Sequence, residues 1–351
     1  MNKTFIPQIS SLRFFVAMAI VVFHYGRWSW PFNQQLISDY ASMMKLGINF
    51  FFVLSGFIMA INYEHFKEFS WEKTKEFYRK RIVRIMPLYL IALIVVFLIF
   101  FFNYYFDQNI LVTQFIESLF FVQAWNPRDV MGLNYVSWFI SVEVFFYLLF
   151  PFVFPKIFSK KGALKQITIF WIISNLITAF LCFNLDQNNE FIRNLTRYFP
   201  LLHLNQFLIG IIAGLFFLKG GIKKGNASFV LSLLFILIYL PIISRGLLPT
   251  LHHNGLLAPV FALLIIGGAS SSGIMKRILS MPLFVKMGDI SYGIYILQFP
   301  VYYFVYRLYH FFHFYDFLKE EGRFYIYLLI LIIVAYISSK TFEPWIRKKL
   351  D

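Results

Sequence analysis

The sequence predicts an all-α, polytopic integral membrane helical protein of about ten transmembrane helices plus one short re-entrant or interfacial segment. Three observations carry that prediction. Of 351 residues, 59% are hydrophobic, 21% aromatic and only 14% charged, too apolar a mix to close into one water-soluble core. Apolar runs long enough for a ~30 Å hydrocarbon core recur along the whole chain. The lysines and arginines behind the formal charge of +15 collect in the short connections between those runs. That pattern reads as membrane topology and gives no basis for a nucleic-acid partner.

Taken in order, the spans are expected near residues 10 to 28, 46 to 62, 85 to 104, 136 to 155, 166 to 184, 199 to 218, 226 to 243, 256 to 271, 290 to 311 and 323 to 341. The first lacks the small-residue cleavage site of a secretory signal, so it reads as a retained span. An eleventh apolar stretch at 112 to 125 is short and carries Glu117. If it crossed, the later basic connections would lie opposite the basic loop at 64 to 84. If it is re-entrant or interfacial, every basic loop falls on one side, which gives ten spans with both termini cytoplasmic. No internal repeat or low-complexity linker is visible, so residues 1–351 read as a single membrane-embedded domain. The one cysteine, Cys182, excludes an internal disulfide and a thiolate metal cluster, and no metal is expected.

Ionisable residues inside apolar spans cost free energy unless paired or solvated, and so mark candidate sites. Arg13 and His24 lie eleven residues apart in the first span, about three turns, on nearly the same helix face. They are expected to line one cavity at two depths. Snorkelling explains Arg13 as well, and an interhelical hydrogen bond explains His24. Glu143, about two turns into the fourth span, is expected at the depth of His24, where a carboxylate could orient the imidazole as a general base. Arg79, Lys80, Arg81 and Arg84 form a basic run before the third span. Arg81 and Arg84, three apart, project together and could clamp a polyanion, although positive-inside anchoring alone also accounts for the run.

Several stretches together resemble one known family: Arg13 and His24 at their spacing, "GINFFFVLSGFI" at 47 to 58, "FYRKRIVRIMPLY" at 77 to 89, "WFISVEVFFYLLFP" at 138 to 151, "LNQFLIG" at 204 to 210, "MGDISYGIYILQFPV" at 287 to 301 and "FEPWI" at 342 to 346. They are similar to the acyltransferase-3 family of integral membrane acyltransferases, of the kind that O-acetylate polysaccharides such as O-antigen. The resemblance implies transfer of an acyl group, usually acetyl, from cytoplasmic acetyl-CoA to a hydroxyl of a glycan acceptor, a cell-surface polysaccharide or lipid-linked oligosaccharide. By the same resemblance His24 is the catalytic residue, Arg13 its partner and Glu143 the acidic site residue. Arg81 and Arg84, with Arg79 and Lys80 beside them, become the contacts to CoA phosphates. Asn49, Ser55, Trp138, Ser141, Tyr292, Gln298 and Glu343 lie in the matching motifs as substrate-binding or structural candidates. Asn49, Ser55 or an amide near Gly56 could stabilise an oxyanion.

The chain departs from the family in carrying Asn49 where many relatives have an acid and Gln298 where many have histidine, and an amide cannot shuttle protons at neutral pH. It stops at Asp351, after the tenth expected span, so it resembles members without a soluble C-terminal SGNH-type domain. The expected setting is the bacterial inner membrane. Other polar features keep plainer readings: "HHN" at 252 to 254 as loop surface, Asp289 as a helix cap, and His203, His310 and His313 as interfacial rings. The alternatives are an acyltransferase for a small molecule or for another acyl group such as succinyl, and, in a different class, a glycan transporter or flippase. A polymerase would need a large outer loop that the sequence lacks.

Overall fold

The computed structural model describes residues 5–350 apart from 65, 67, 103–106, 160, 245–248 and 314–319. Every regular element among them is helical: α1 (Pro7–Val21), α2 (Gln35–Met43), α3 (Gly47–Asn62), α4 (Trp71–Phe101), α5 (Gln108–Leu119), α6 (Trp138–Ser159), α7 (Ala163–Asn184), α8 (Glu190–Tyr198), α9 (Pro200–Leu218), α10 (Gly225–Ser244), α11 (Pro249–Leu251), α12 (Ala258–Ala269), α13 (Gly273–Leu279), α14 (Pro282–Asp289), α15 (Ser291–Phe311), α16 (Glu320–Lys340) and α17 (Phe342–Leu350). Two π-helical turns, Val22–Gly26 and His252–Leu256, extend α1 and α11.

Among the described residues eight helical segments are long and apolar enough to cross a membrane, or nine if the bent pair α12–α13 is one span. The protein is therefore a multi-pass membrane protein, and two of the ten expected spans fall outside the count of eight. The span expected at 256 to 271 contains α12, which has 12 residues and meets α13 at a 101° bend just beyond it. The span expected at 290 to 311 does form a 21-residue helix, α15, but Gln298, Arg307, His310 and its tyrosines keep it less apolar than the others. It can afford that polarity because it packs against α1, α4 and α16. The stretch at 112 to 125 folds as the 12-residue α5 and a hook. Tyr89 on α4 donates to the carbonyl of Ser118 (2.8 Å), and Ser141 on α6 donates to that of Phe121 (2.5 Å), so the hook is tied into the bundle without crossing it.

The centre of the bundle is the crossing of α3 with α9. A Cβ on Gly56 would stand 2.1 Å from the Phe207 carbonyl oxygen, and one on Gly210 2.0 Å from that of Val53. Lipid offers no hydrophobic drive for two helices to associate, so backbone approach at small residues supplies the packing instead. Gly214, four residues on, meets Ala60 in the same way. The segment containing α3 is 67% buried, whereas α10 is 17% buried and α7 22%, which sets α7 and α10 at the lipid-facing rim.

α4 is 31 residues long, ~46 Å at 1.5 Å per residue against a ~30 Å hydrocarbon core. Its basic first half therefore projects beyond the apolar layer. This end of the bundle, which also holds the start of α1, is called the basic end below.

Candidate active site

Among the described residues a cavity opens toward each end of α1. The one at the basic end has a volume of about 380 Å³ and is lined by Arg13, Ser55, Arg81, Arg84, Glu143, Tyr147, Asp289, Tyr292 and Tyr295, among others. α1 contributes Arg13, α4 the two other arginines, α6 Glu143 and α14 Asp289. Glu143 is within hydrogen-bonding reach of Tyr147 and Ser55 and faces the charges of Arg84 and Arg81. Arg81 is 8% exposed and its guanidinium sits 5.0 Å from the ring centre of Tyr63, 5.4 Å from Phe77 and 5.5 Å from Tyr147. Three rings hold the cation by its faces, and its Nε has no hydrogen-bond partner. Arg84 is exposed at the rim. A rigid cation with an orphaned donor beside a second guanidinium suits a phosphate-bearing ligand.

The second cavity has a volume of about 310 Å³ and is lined by His24, Lys45, Met131, Tyr135, Trp138, Arg197, Tyr198, His253 and Tyr295, among others. Both imidazoles are carried on π-helical turns, a widened geometry that recurs at functional sites. Neither ring nitrogen of His24 hydrogen-bonds a described residue, and the ring packs edge-on against Tyr135 at 5.0 Å. The second π-turn leaves its carbonyls without the usual helical partners, and side chains of neighbouring helices take them up. Asn49 donates to the His252 carbonyl (2.6 Å), Gln206 to that of His253 (3.3 Å), Asn205 to that of Asn254 (2.9 Å) and Trp171 to that of Gly255 (2.8 Å). Gly255 closes the turn at φ +104, where a Cβ would fall 2.2 Å from Asn205 Oδ1. Burial lowers the His253 imidazole to about 4, so it lines the cavity as a neutral ring.

A wall of rings separates the two spaces. Tyr295 lines both, Phe139 packs on it at 5.2 Å from the basic-end side, and Trp138, the preceding residue on α6, lines the other. The Tyr295 hydroxyl is committed to the Val136 carbonyl at 2.8 Å.

This arrangement corrects three expectations. Arg13 and His24 do not share a cavity, because the π-turn at Val22–Gly26 alters the helical phase before His24 is reached and the ring wall intervenes. Glu143 does not pair with His24; it stands with Arg13 and the α4 arginines. Arg79 and Lys80 lie outside the cavity, Arg79 exposed and Lys80 paired with Glu76.

Of the remaining candidates, Ser55 and Tyr292 line the basic-end cavity and Trp138 the other. The amide nitrogens of Asn49 and Gln298 and the Ser141 hydroxyl are spent inside the bundle, whereas Asn49 Oδ1 and Gln298 Oε1 are buried without a partner among the described residues; Gln298 donates to the Tyr295 carbonyl (2.7 Å) and lines neither cavity. Tyr292 donates to the Ile85 carbonyl (2.9 Å), and Glu343 opens α17, close enough for its charge to act on Tyr292. Gly56 packs against α9 and lines neither cavity. Asp289 ends α14 and lines the basic-end cavity instead of capping α15. His203, His252 and His253 are buried, none of them loop surface. No cluster of metal-binding side chains occurs among the described residues.

The sequence reading passed over Lys45, Arg197 and Tyr135. Lys45 could have been found, since it is the lone cation between two apolar runs. Arg197 could not, because it reaches the cavity from a helix whose own charge pattern is that of an ordinary surface.

Comparison with known proteins agrees with this architecture. No solved structure matches the chain. It is similar to an acyltransferase, MdmB, of Streptomyces mycarofaciens, 22% identical over 86% of this chain and 80% of that protein. It is also similar to the O-acetyltransferase OatA of Staphylococcus aureus, 24% identical over 99% of this chain and 58% of that protein, so it spans little more than half of OatA's length. The profile of an acyltransferase domain matches residues 6–340. That match runs through both cavities and the wall between them, and the chain belongs to the acyltransferase-3 family of membrane acyltransferases.

Proposed function

We propose that this acyltransferase carries an acetyl group from acetyl-CoA, bound at the basic end, to a hydroxyl of a cell-surface or lipid-linked polysaccharide entering the His24 cavity. The observation that carries the reading is the pair of cavities meeting at Tyr295, one furnished for phosphates and one for a polar, ring-stacking acceptor. In this reading the basic end faces the cytoplasm, both termini lie there, and the membrane is the bacterial inner membrane, in keeping with the charge of the loops.

Arg81 and Arg84 hold the nucleotide phosphates, with Arg13, Glu143 and Asp289 shaping the charge behind them. The flexible arm of the donor reaches the ring wall, whose side chains part at Tyr295 to admit the thioester to the His24 cavity. His24 takes the proton of the acceptor hydroxyl as that oxygen attacks the thioester carbonyl. The carbon–oxygen bond forms, the carbon–sulfur bond breaks, and the imidazolium returns its proton to the leaving thiolate. Direct transfer needs one tetrahedral intermediate; transient acylation of His24 would need two. Acid quenching during turnover followed by mass spectrometry separates them, because an acyl-histidine formed at the catalytic rate would replace the direct route.

The test is thiol release from acetyl-CoA by the protein in lipid, with and without a bacterial glycan fraction, comparing wild type with His24→Ala and scoring glycan esters by NMR. Glycan-dependent release lost in a folded His24→Ala protein supports the reading. Absence of both ester and thiol with acetyl-CoA sinks it.

A further inference from the structure

The His24 cavity has a charge imbalance that a neutral sugar would leave unused. Lys45 and Arg197 both line it, and none of the described lining residues is a carboxylate. Neither cation forms an ion pair with a described residue. The nearest ring to Lys45 Nζ is Phe23, at 5.9 Å, and Arg197 spends its Nε on the Thr250 hydroxyl at 3.2 Å. Arg27 adds a third positive charge nearby, stacked over Trp28 at 4.6 Å. The basic-end cavity differs here, since Glu143 and Asp289 stand among its three guanidiniums. Half-buried cations left without a counter-charge repel one another and lose hydration, a cost that an arriving anion relieves.

We propose that this cavity selects an acceptor bearing an anionic group, the carboxylate or phosphate of an acidic sugar, held by Lys45 and Arg197 while a neighbouring hydroxyl meets His24. The inference rests on the reading that the acceptor enters here. Tyr135, Trp138 and Tyr198 offer ring faces to the sugar, and the two cations fix which edge of it turns inward. A rival use for the same cations is stabilisation of the oxyanion formed at the thioester carbonyl, which would act on every acceptor alike.

The experiment measures binding of trigalacturonate and of its methyl ester, the same rings without the charge, to the full chain in lipid by calorimetry, alongside acetyl transfer to each. The expected result is at least tenfold tighter binding of the acid at low salt, a gap that narrows as sodium chloride screens it. Lys45→Met and Arg197→Met should lose the gap, whereas Lys45→Arg should keep it, which separates charge from folding. Equal affinities, or no binding of either sugar, overturn the proposal. So does an equal fall in kcat on both acceptors in Lys45→Met with KM unchanged, the mark of the oxyanion role. Charge-selective binding with no transfer from acetyl-CoA would leave the anion site standing and remove the acetyltransferase reading. Transfer without charge preference would do the reverse.

Discussion

The two cavities share cations and aromatic rings, differ in carboxylates, and are held in opposite ways. At the basic end the charged side chains compensate one another: two carboxylates and three arginines, one of them Arg81, caged by rings. At the other end the polar groups that matter are held by backbone geometry, on two π-turns, the second with its carbonyls tied down by amides from α3 and α9. A site organised by charge should yield to charge-changing substitutions one at a time. A site organised by backbone should fail as a unit when its turn is disturbed.

The largest effect that would sharpen this contrast is expected from His24→Ala: a fall of about 10²–10⁴ in acetyl transfer, with acetyl-CoA affinity and thermal stability close to wild type, read from thiol release and calorimetry. Gly255→Ala should come next. A side chain at φ +104 pressed on Asn205 costs about 1–3 kcal/mol, seen as a lower Tm, and acceptor binding should fail while acetyl-CoA still binds. Preserved acceptor binding in that variant would break the comparison. Arg84→Ala removes a charged hydrogen-bond donor at the rim and should weaken acetyl-CoA by about 1.5–3 kcal/mol, with no change in acceptor KM. Unchanged donor affinity would return Arg84 to membrane topology. The smallest effect belongs to Lys80→Ala. It breaks an exposed pair with Glu76 on α4, so stability should shift by no more than about 0.5 kcal/mol and donor affinity should not move.

The helical, membrane-embedded character was legible because lipid imposes it residue by residue, and α1, α3, α4, α6 and α9 fall where apolar runs are expected. What escaped the sequence depended on contact between distant segments. The burial of His252 and His253 rests on amides supplied by Asn49, Asn205 and Gln206, far away in the chain. The separation of Arg13 from His24 rests on a π-turn that no spacing rule announces and on a wall completed by Tyr295. The polarity of α15 hid a helix that the neighbouring helices shelter. The "LNQ" of 204 to 206 was readable as a motif, but its work became visible only once the carbonyls it serves were in place.

The ring wall has one more consequence, which concerns voltage. A membrane potential is worth about 2.3 kcal/mol per elementary charge per 100 mV, and water-filled cavities entering from both faces would concentrate that drop across whatever separates them. Here the separation is Phe139, Trp138 and a Tyr295 whose hydroxyl is already committed to the Val136 carbonyl. A phenyl ring has no polar atom, an indole N–H cannot accept a proton, and the one hydroxyl is spent, so the layer offers no chain along which a proton could hop. With the wall closed, the same rings that divide the two chambers therefore also insulate one from the other.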